Sequence, residues 1–262
     1  GLVLPPDLDP DVARDAPLEL QGYIAYWIGE REARRLVDLV EQEVAYVADR
    51  PVRIAIDEGQ VYPSDPGRAG SGFLVSVAIV LVLVMMGALV VVHLLLDEKQ
   101  AKTIDVLLIS PASPVQLLLG KALVGLVYVL IGVGAVLGLN AAYIVRWEVA
   151  VLGALWGALF AVNLGILLGV LFESQQQLII WGFVLMGTLM LPLFLVVGAD
   201  ALPGGVAAAF RYLPTTATAW IIRASFTPAV PVGRMLGRLG VVGASTAVVF
   251  ALAAWRVSRL ER

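Results

Sequence analysis

The sequence predicts an all-α polytopic membrane bundle, with a partial α/β segment at its N-terminus that faces water. Composition is the first reason: of 262 residues, 60% are hydrophobic and 15% charged, with a mean hydropathy of +0.89. A soluble domain has roughly 45–50% apolar and about 25% charged residues, so much of this chain needs lipid as its solvent. The second reason is that the apolar residues gather into five runs, 74–96, 122–145, 149–172, 178–199 and 239–255. The third is that these runs lack the period-two alternation of a membrane barrel strand.

Four of the runs exceed 20 residues, enough helix to cross a bilayer core about 30 Å thick. The fifth reaches spanning length when it is extended back to Met235, which takes in only one charge, Arg238. A long arginine stem can carry that charge to the interface. Residues 73–262 therefore read as a transmembrane domain with helices at 74–96, 122–145, 149–172, 178–199 and 235–255. Pro192 is expected to kink the fourth of them. Gly134/Gly138, Gly153/Gly157 and Gly165/Gly169 are small-xxx-small pairs that let helices approach closely.

Residues 1–72 differ in kind. They hold seven arginines, and Pro5, Pro6, Pro10, Pro17, Pro51, Pro63 and Pro66 punctuate them. Glu30–Asp49 predicts an amphipathic helix, with Leu36, Val37, Val40, Val44 and Val47 at helical spacing. Val52–Ile56 alternates as a strand does.

Several chemistries are excluded. A net charge of −3 argues against a nucleic-acid partner, which calls for a basic face. The absence of cysteine removes disulfides, thiolate metal sites and cysteine nucleophiles. No H-E-x-x-H motif is present, and His93, the single histidine, has no placed serine partner and no intramembrane carboxylate. It reads as an interfacial or packed residue. No catalytic, cofactor-binding or metal site is expected, and the chain reads as no enzyme.

The helix cores offer only Asn140 and Asn163 with a few Ser and Thr. Ion-coupled transporters usually keep a charge there for the coupling ion, so a pathway without one needs an external engine. Asn140 and Asn163 are candidate pathway-lining residues, although bonding between packed helices is the commoner use of an intramembrane Asn.

The connection Asp97–Lys121 carries the most information. Ile104, Leu107 and Leu108 make one face of a short amphipathic helix over about 101–110, and Pro111 ends it. Ser113-Pro114-Val115-Gln116 is a capping box with proline at the first helical position, opening the next span. Gly120-Lys121 is no phosphate-cradling loop, because Val115 stands where the first glycine belongs and Ala122 follows the lysine. By itself this segment is either an interfacial anchor or a docking element for a partner in the cytoplasm.

Glu98, Thr103, Leu107-Leu108, Pro111 and Gly120-Lys121 resemble the pattern of acidic residue, Thr, Leu-Leu, Ser-Pro and Gly-Lys in type-2 ABC transporter permeases. The resemblance extends over residues 73–262 in helix order, including Leu213-Pro214-Thr215. It implies that 101–110 is a coupling helix. Glu98, Lys102, Thr103, Leu107, Leu108, Pro111 and Lys121 would then meet a separate ATP-binding subunit, which holds the ATP and Mg. It implies further an exporter working with a second permease copy or paralogue, and six transmembrane helices where this sequence shows five. On that pattern residues 1–72 resemble the distal part of the extracytoplasmic insert of the sodium- and drug-exporting branch, and the first helix is missing.

Lys99, Lys102 and Lys121 share a side with Arg256, Arg259 and Arg262, which assigns that side as cytoplasmic. The C-terminus is thus expected in the cytoplasm, residues 1–72 outside it, and the whole in the cell membrane. The segment 200–234, with Phe210, Tyr212, Trp220, Ile221, Ile222 and Phe226, is expected either as an interfacial aromatic belt or, over Thr215–Ser225, as a short helix shallow in the outer leaflet. Two other readings are an ion-gradient-driven secondary transporter and a structural envelope scaffold.

Overall fold

A computed structural model describes residues 2–3, 18–25, 28–48, 51–56, 71–100, 114–197 and 204–260. The chain divides into two units, Gly1–Ser64 and Asp65–Arg262.

In the first unit, β1 (Leu2–Val3) and β2 (Leu18–Gly22) precede helix α1 (Glu30–Ala48) and strand β3 (Val52–Ile56). β2 pairs antiparallel with β1, Leu2 opposite Gly22, and parallel with β3, Leu18 opposite Val52. The helix supplies the crossover that a parallel pair requires. Leu20, Val52 and Ile54 form the core with Val37, Val40 and Val44 of α1. The spacing read from sequence holds for those three valines, whereas Leu36 and Val47 point away and are exposed. The parallel partner β2 is missing from the sequence reading, because Leu-Glu-Leu-Gln-Gly has no β-branched residue and ends in glycine, where Val52–Ile56 has three.

The second unit is the helical bundle. Its first rod is built from α2 (Ser71–Val82), a π-helical stretch at Leu83–Val90, and α3 (Val91–Gln100). Then come α4 (Pro114–Leu139), α5 (Trp147–Leu171), α6 (Gln175–Val197), α7 (Gly204–Arg211), α8 (Pro214–Ala224) and α9 (Val232–Leu260). Among the described residues, five segments are long and apolar enough to cross a membrane: Gly72–Asp97, Leu119–Leu139, Trp147–Leu171, Gln175–Leu195 and Val232–Arg256. The second of these ends at Leu139, short of the expected 145, because residues 140–146 fold into a turn with a 3-10 segment at Ala141–Tyr143. The backbone N–H groups of Val145 and Arg146 both donate to Ser225 O at 2.9 Å, which fixes that turn.

Helix α5 is the centre, packing against the rod, α4, α8 and α9. Apolar burial drives little association in lipid, whose tails are as apolar as leucine, so helices are held by close packing. α5 provides it with Gly153, Gly157, Ala161, Gly165 and Gly169, one small residue at every fourth position. A Cβ at Gly153 would lie 2.8 Å from Ile221 of α8, and one at Gly157 only 2.7 Å from both Leu83 and Thr218. One at Gly165 would lie 2.5 Å from Gly87 O and 2.8 Å from Ala88 O, inside the π-helical stretch. The third expected pair behaves otherwise: Gly134 and Gly138 face open space.

The seam yields a paired prediction. Gly165→Ala should destabilise the bundle by about 1–3 kcal/mol, since its obstacle is backbone that cannot rotate aside. Gly134→Ala should be neutral or stabilise by up to about 1 kcal/mol through helix propensity. Thermal unfolding of the two purified variants in detergent checks the contrast, and equal melting would contradict the seam.

Candidate functional site

Three places in the bundle bear on transport. The first is the end at which the rod gives way to α4. Glu98 lies in the last turn of α3, and α4 opens at Pro114 as the capping pattern requires. Lys121 sits half-buried two turns into α4. Lys102, Thr103, Leu107, Leu108 and Pro111 lie outside the described residues, as does the whole of 101–113. The elements flanking that segment are firmly held. Val92 and Leu96 of α3 are fully buried against Leu178 of α6. Gln175 Nε2 donates to Asp97 Oδ1 at 3.3 Å, and Ser174 Oγ accepts from Gln177 N at 3.3 Å to cap α6.

The second place is a cavity of about 460 Å³ between α4, α5 and α9. Trp156, Asn163, Thr246 and Phe250 are among its lining residues, and none of the lining residues is charged. Its two polar side chains are bonded to their own helices: Asn163 Nδ2 donates to Leu159 O at 2.7 Å and Thr246 Oγ1 to Val242 O at 2.8 Å. Trp156 Nε1 donates across to Leu239 O at 3.2 Å and ties α5 to α9 beside the cavity. The volume falls within the 300–1,000 Å³ of small-molecule sites, and its chemistry suits an apolar occupant with at most one hydrogen-bonding group. Asn140 is not there. It ends α4 and donates from Nδ2 to Val136 O at 2.9 Å. Asn163 stands 16 residues beyond the start of α5, about 24 Å of helix away, so the structure does not bring the two asparagines together. His93 is exposed and borders a smaller cleft of about 290 Å³ with Leu178, Gly182 and Phe183 of α6.

The third place is α8. At 11 residues it is about 16 Å long and cannot span a bilayer, yet every residue from Thr215 to Thr227 is buried. The expected helix over Thr215–Ser225 is present, but it lies in the core of the bundle. Trp220, Ile221, Ile222 and Phe226 are buried there, which removes them from an exposed aromatic belt. Five Thr and Ser hydroxyls, Thr216 among them, allow this, each donating to a carbonyl. Thr218 bonds Pro214 O at 2.8 Å, Ser225 bonds Ile222 O at 2.6 Å, and Thr227 bonds Ala224 O at 2.9 Å. Thr215 instead reaches across to Leu189 O at 2.9 Å. That carbonyl lies one residue beyond Thr188, whose carbonyl Pro192 deprives of its helical donor. Arg223, also buried, donates from Nε to Ala219 O at 3.4 Å and lies 5.9 Å over the ring of Phe73. Among the described residues no three His, Cys, Asp or Glu gather as metal ligands.

Five candidate spans around a central small-residue helix, with a buried short helix, define a multi-pass membrane bundle. Residues 19–255 match the model of a family described as ABC-2 family transporter protein, and the chain belongs to that family. It is thus a membrane subunit of an ABC transport system, a transport component and not an enzyme. Comparison with curated proteins and with solved structures returned no match.

The anchor of α8 on α6 is directly measurable. Thr215→Val should destabilise the bundle by about 1 kcal/mol by removing the hydrogen bond that ties α8 to α6. Thr215→Ser, which keeps the hydroxyl, should lose much less. Unfolding free energies of the two variants in detergent check the contrast, and an equal loss in both would remove the anchor.

Proposed function

We propose that this chain is the permease subunit of an ATP-driven ABC exporter, forming the cargo path and driven by a separate ATP-binding subunit that holds ATP and Mg. The observation that carries the reading is the family match, which covers both helices that flank segment 101–113. ATP-driven closure of the partner moves the 101–110 helix as a lever, contacted through Glu98, Lys102, Thr103, Leu107, Leu108, Pro111 and Lys121. The push enters at the end of α3 and the start of α4, both of which pack on α5. α5 passes it to α8 and α9. The permease works as a dimer with a second copy or a paralogue, in the cell membrane. Residues 1–72 lie outside the cytoplasm as the distal part of an extracytoplasmic domain, in the manner of the insert-bearing sodium- and drug-export branch, and the C-terminus lies inside. Uncharged cavities support cargo of apolar or amphipathic character.

The absence of native cysteine makes the first test clean. A single Asp105→Cys variant in native membranes should crosslink to an ATP-binding subunit identified by mass spectrometry. Labelling of that cysteine from outside the cell, with no such subunit captured, would invert the topology. A second test is Leu107→Ala with Leu108→Ala, which strips several methyl groups from the docking face. Insertion and ATP turnover should stay in place while transport falls about tenfold or more, equivalent to about 1.4 kcal/mol of apolar burial. Transport at the wild-type rate would remove the lever.

A further inference from the structure

Five arginines gather at one end of the bundle, on the α4–α5 turn and on α7, α8 and the start of α9: Arg146, Arg211, Arg223, Arg234 and Arg238. The bonds from Val145 and Arg146 to Ser225 O place the turn and α8 at that same end. Two of the five are accounted for. Arg146 pairs with Glu148 at 2.7 Å, and Arg223 is held over Phe73. The other three have no carboxylate partner among the described residues, and from Ala201 to Leu260 the sequence contains no Asp or Glu at all.

Arg238 is the centre of this group. Its guanidinium carbon lies 5.4 Å from the ring of Tyr212 and 5.9 Å from that of Trp220. Rings hold a guanidinium by its flat faces and leave its in-plane N–H donors directed outward. Arg234 stands one turn earlier on the same side of α9, and like charges at that spacing repel. Arg211, on the last turn of α7, is near enough for its charge to act on Arg238 as well. Three cations are thus brought together with no anion of the chain to neutralise them.

Depth selects the kind of anion. The span Val232–Arg256 has 25 residues and is about 37 Å long, longer than a hydrocarbon core of about 30 Å. Its first turns therefore reach into the headgroup layer, where Arg238 can extend its charge.

We propose that Arg238, clamped by Tyr212 and Trp220 and flanked by Arg211 and Arg234, binds the phosphate of an anionic phospholipid. A planar guanidinium with free in-plane donors matches two phosphate oxygens, and the exposed ring of Tyr212 lies beside the lipid glycerol region. The site requires only the membrane-spanning bundle and is independent of the coupling reading.

The test uses the full chain, purified from bilayers of mixed phosphatidylglycerol and phosphatidylcholine, with retained lipid counted by native mass spectrometry. The wild type should retain phosphatidylglycerol over phosphatidylcholine by about tenfold, the worth of one charge-assisted hydrogen bond. Arg238→Gln should lose most of that selectivity, and Arg238→Lys should keep part of it. The exposed pair Arg211→Gln with Arg234→Gln should also lose it, and this variant decides the matter if Arg238→Gln does not fold. Arg146→Gln, which alters a neighbouring but paired charge, should retain wild-type selectivity. Unchanged selectivity in the Arg238 and double variants overturns the site, and so does an equal loss in Arg146→Gln. Displacement of the lipid by excess inorganic phosphate overturns the assignment to a lipid and gives the cluster to a soluble anion.

Discussion

The bundle depends on how near other elements can come to α5. Gly153, Gly157, Ala161, Gly165 and Gly169 make a nearly flat strip along that helix, and any added Cβ at the glycines would strike a neighbour. In water such a strip would be a poor core, because it buries few methyl groups. In lipid the comparison changes, since apolar side chains gain little by leaving acyl chains for each other. What remains is packing density, and small residues give the most of it per turn. Gly157 shows the constraint from two sides, with the rod and α8 both within 2.7 Å of where its Cβ would stand.

From that seam the rest follows. α8 can lie in the core because α5 leaves room for Thr218 and Ile221, and its hydroxyls turn a short polar helix into one that the bundle tolerates. The anchor from Thr215 joins α6 at Leu189, so a side-chain hydrogen bond ties the short helix to a spanning one. The same closeness that seats α8 leaves the far side of α5 less filled, where α4 and α9 enclose the cavity around Asn163. A lever acting on α3 and α4 would thus work against a stiff central helix, and the volume free to change is the one beside it.

The long elements were legible in the sequence because lipid imposes one requirement, a run of some 20 apolar residues, which four runs meet outright and the fifth when extended back to Met235. The helix Glu30–Ala48 and strand Val52–Ile56 were legible for a different reason, the period of their valines. The small-residue pairs on α5 were readable as packing sites, but the pair on α4 has the same spacing and faces open space, because spacing says that a helix can be approached and not from where. The helix at 214–224 was foreseen, its depth was not. Aromatic and aliphatic residues with prolines suit an interface as well as a core, and only the carbonyls available to Thr215, Thr218 and Ser225 decide between them. Of the two candidate pathway residues, Asn163 reaches a cavity and Asn140 ends a helix, a distinction set by helix rotation and invisible to composition. The stacking of Arg238 on Tyr212 and Trp220 joins residues of three separate elements, and no local pattern announces it.

The bond that fixes the α4–α5 turn has a meaning for biosynthesis. Val145 and its acceptor Ser225 are 80 residues apart, which a ribosome covers in about 4–16 s at 5–20 residues per second. During that interval the α4–α5 hairpin is already made, while two of its backbone donors await a carbonyl not yet synthesised. Water at the membrane surface must hold them in the meantime. The hairpin therefore enters the bilayer as a provisional structure, and it is the late arrival of α8, after four of the five spans, that closes it.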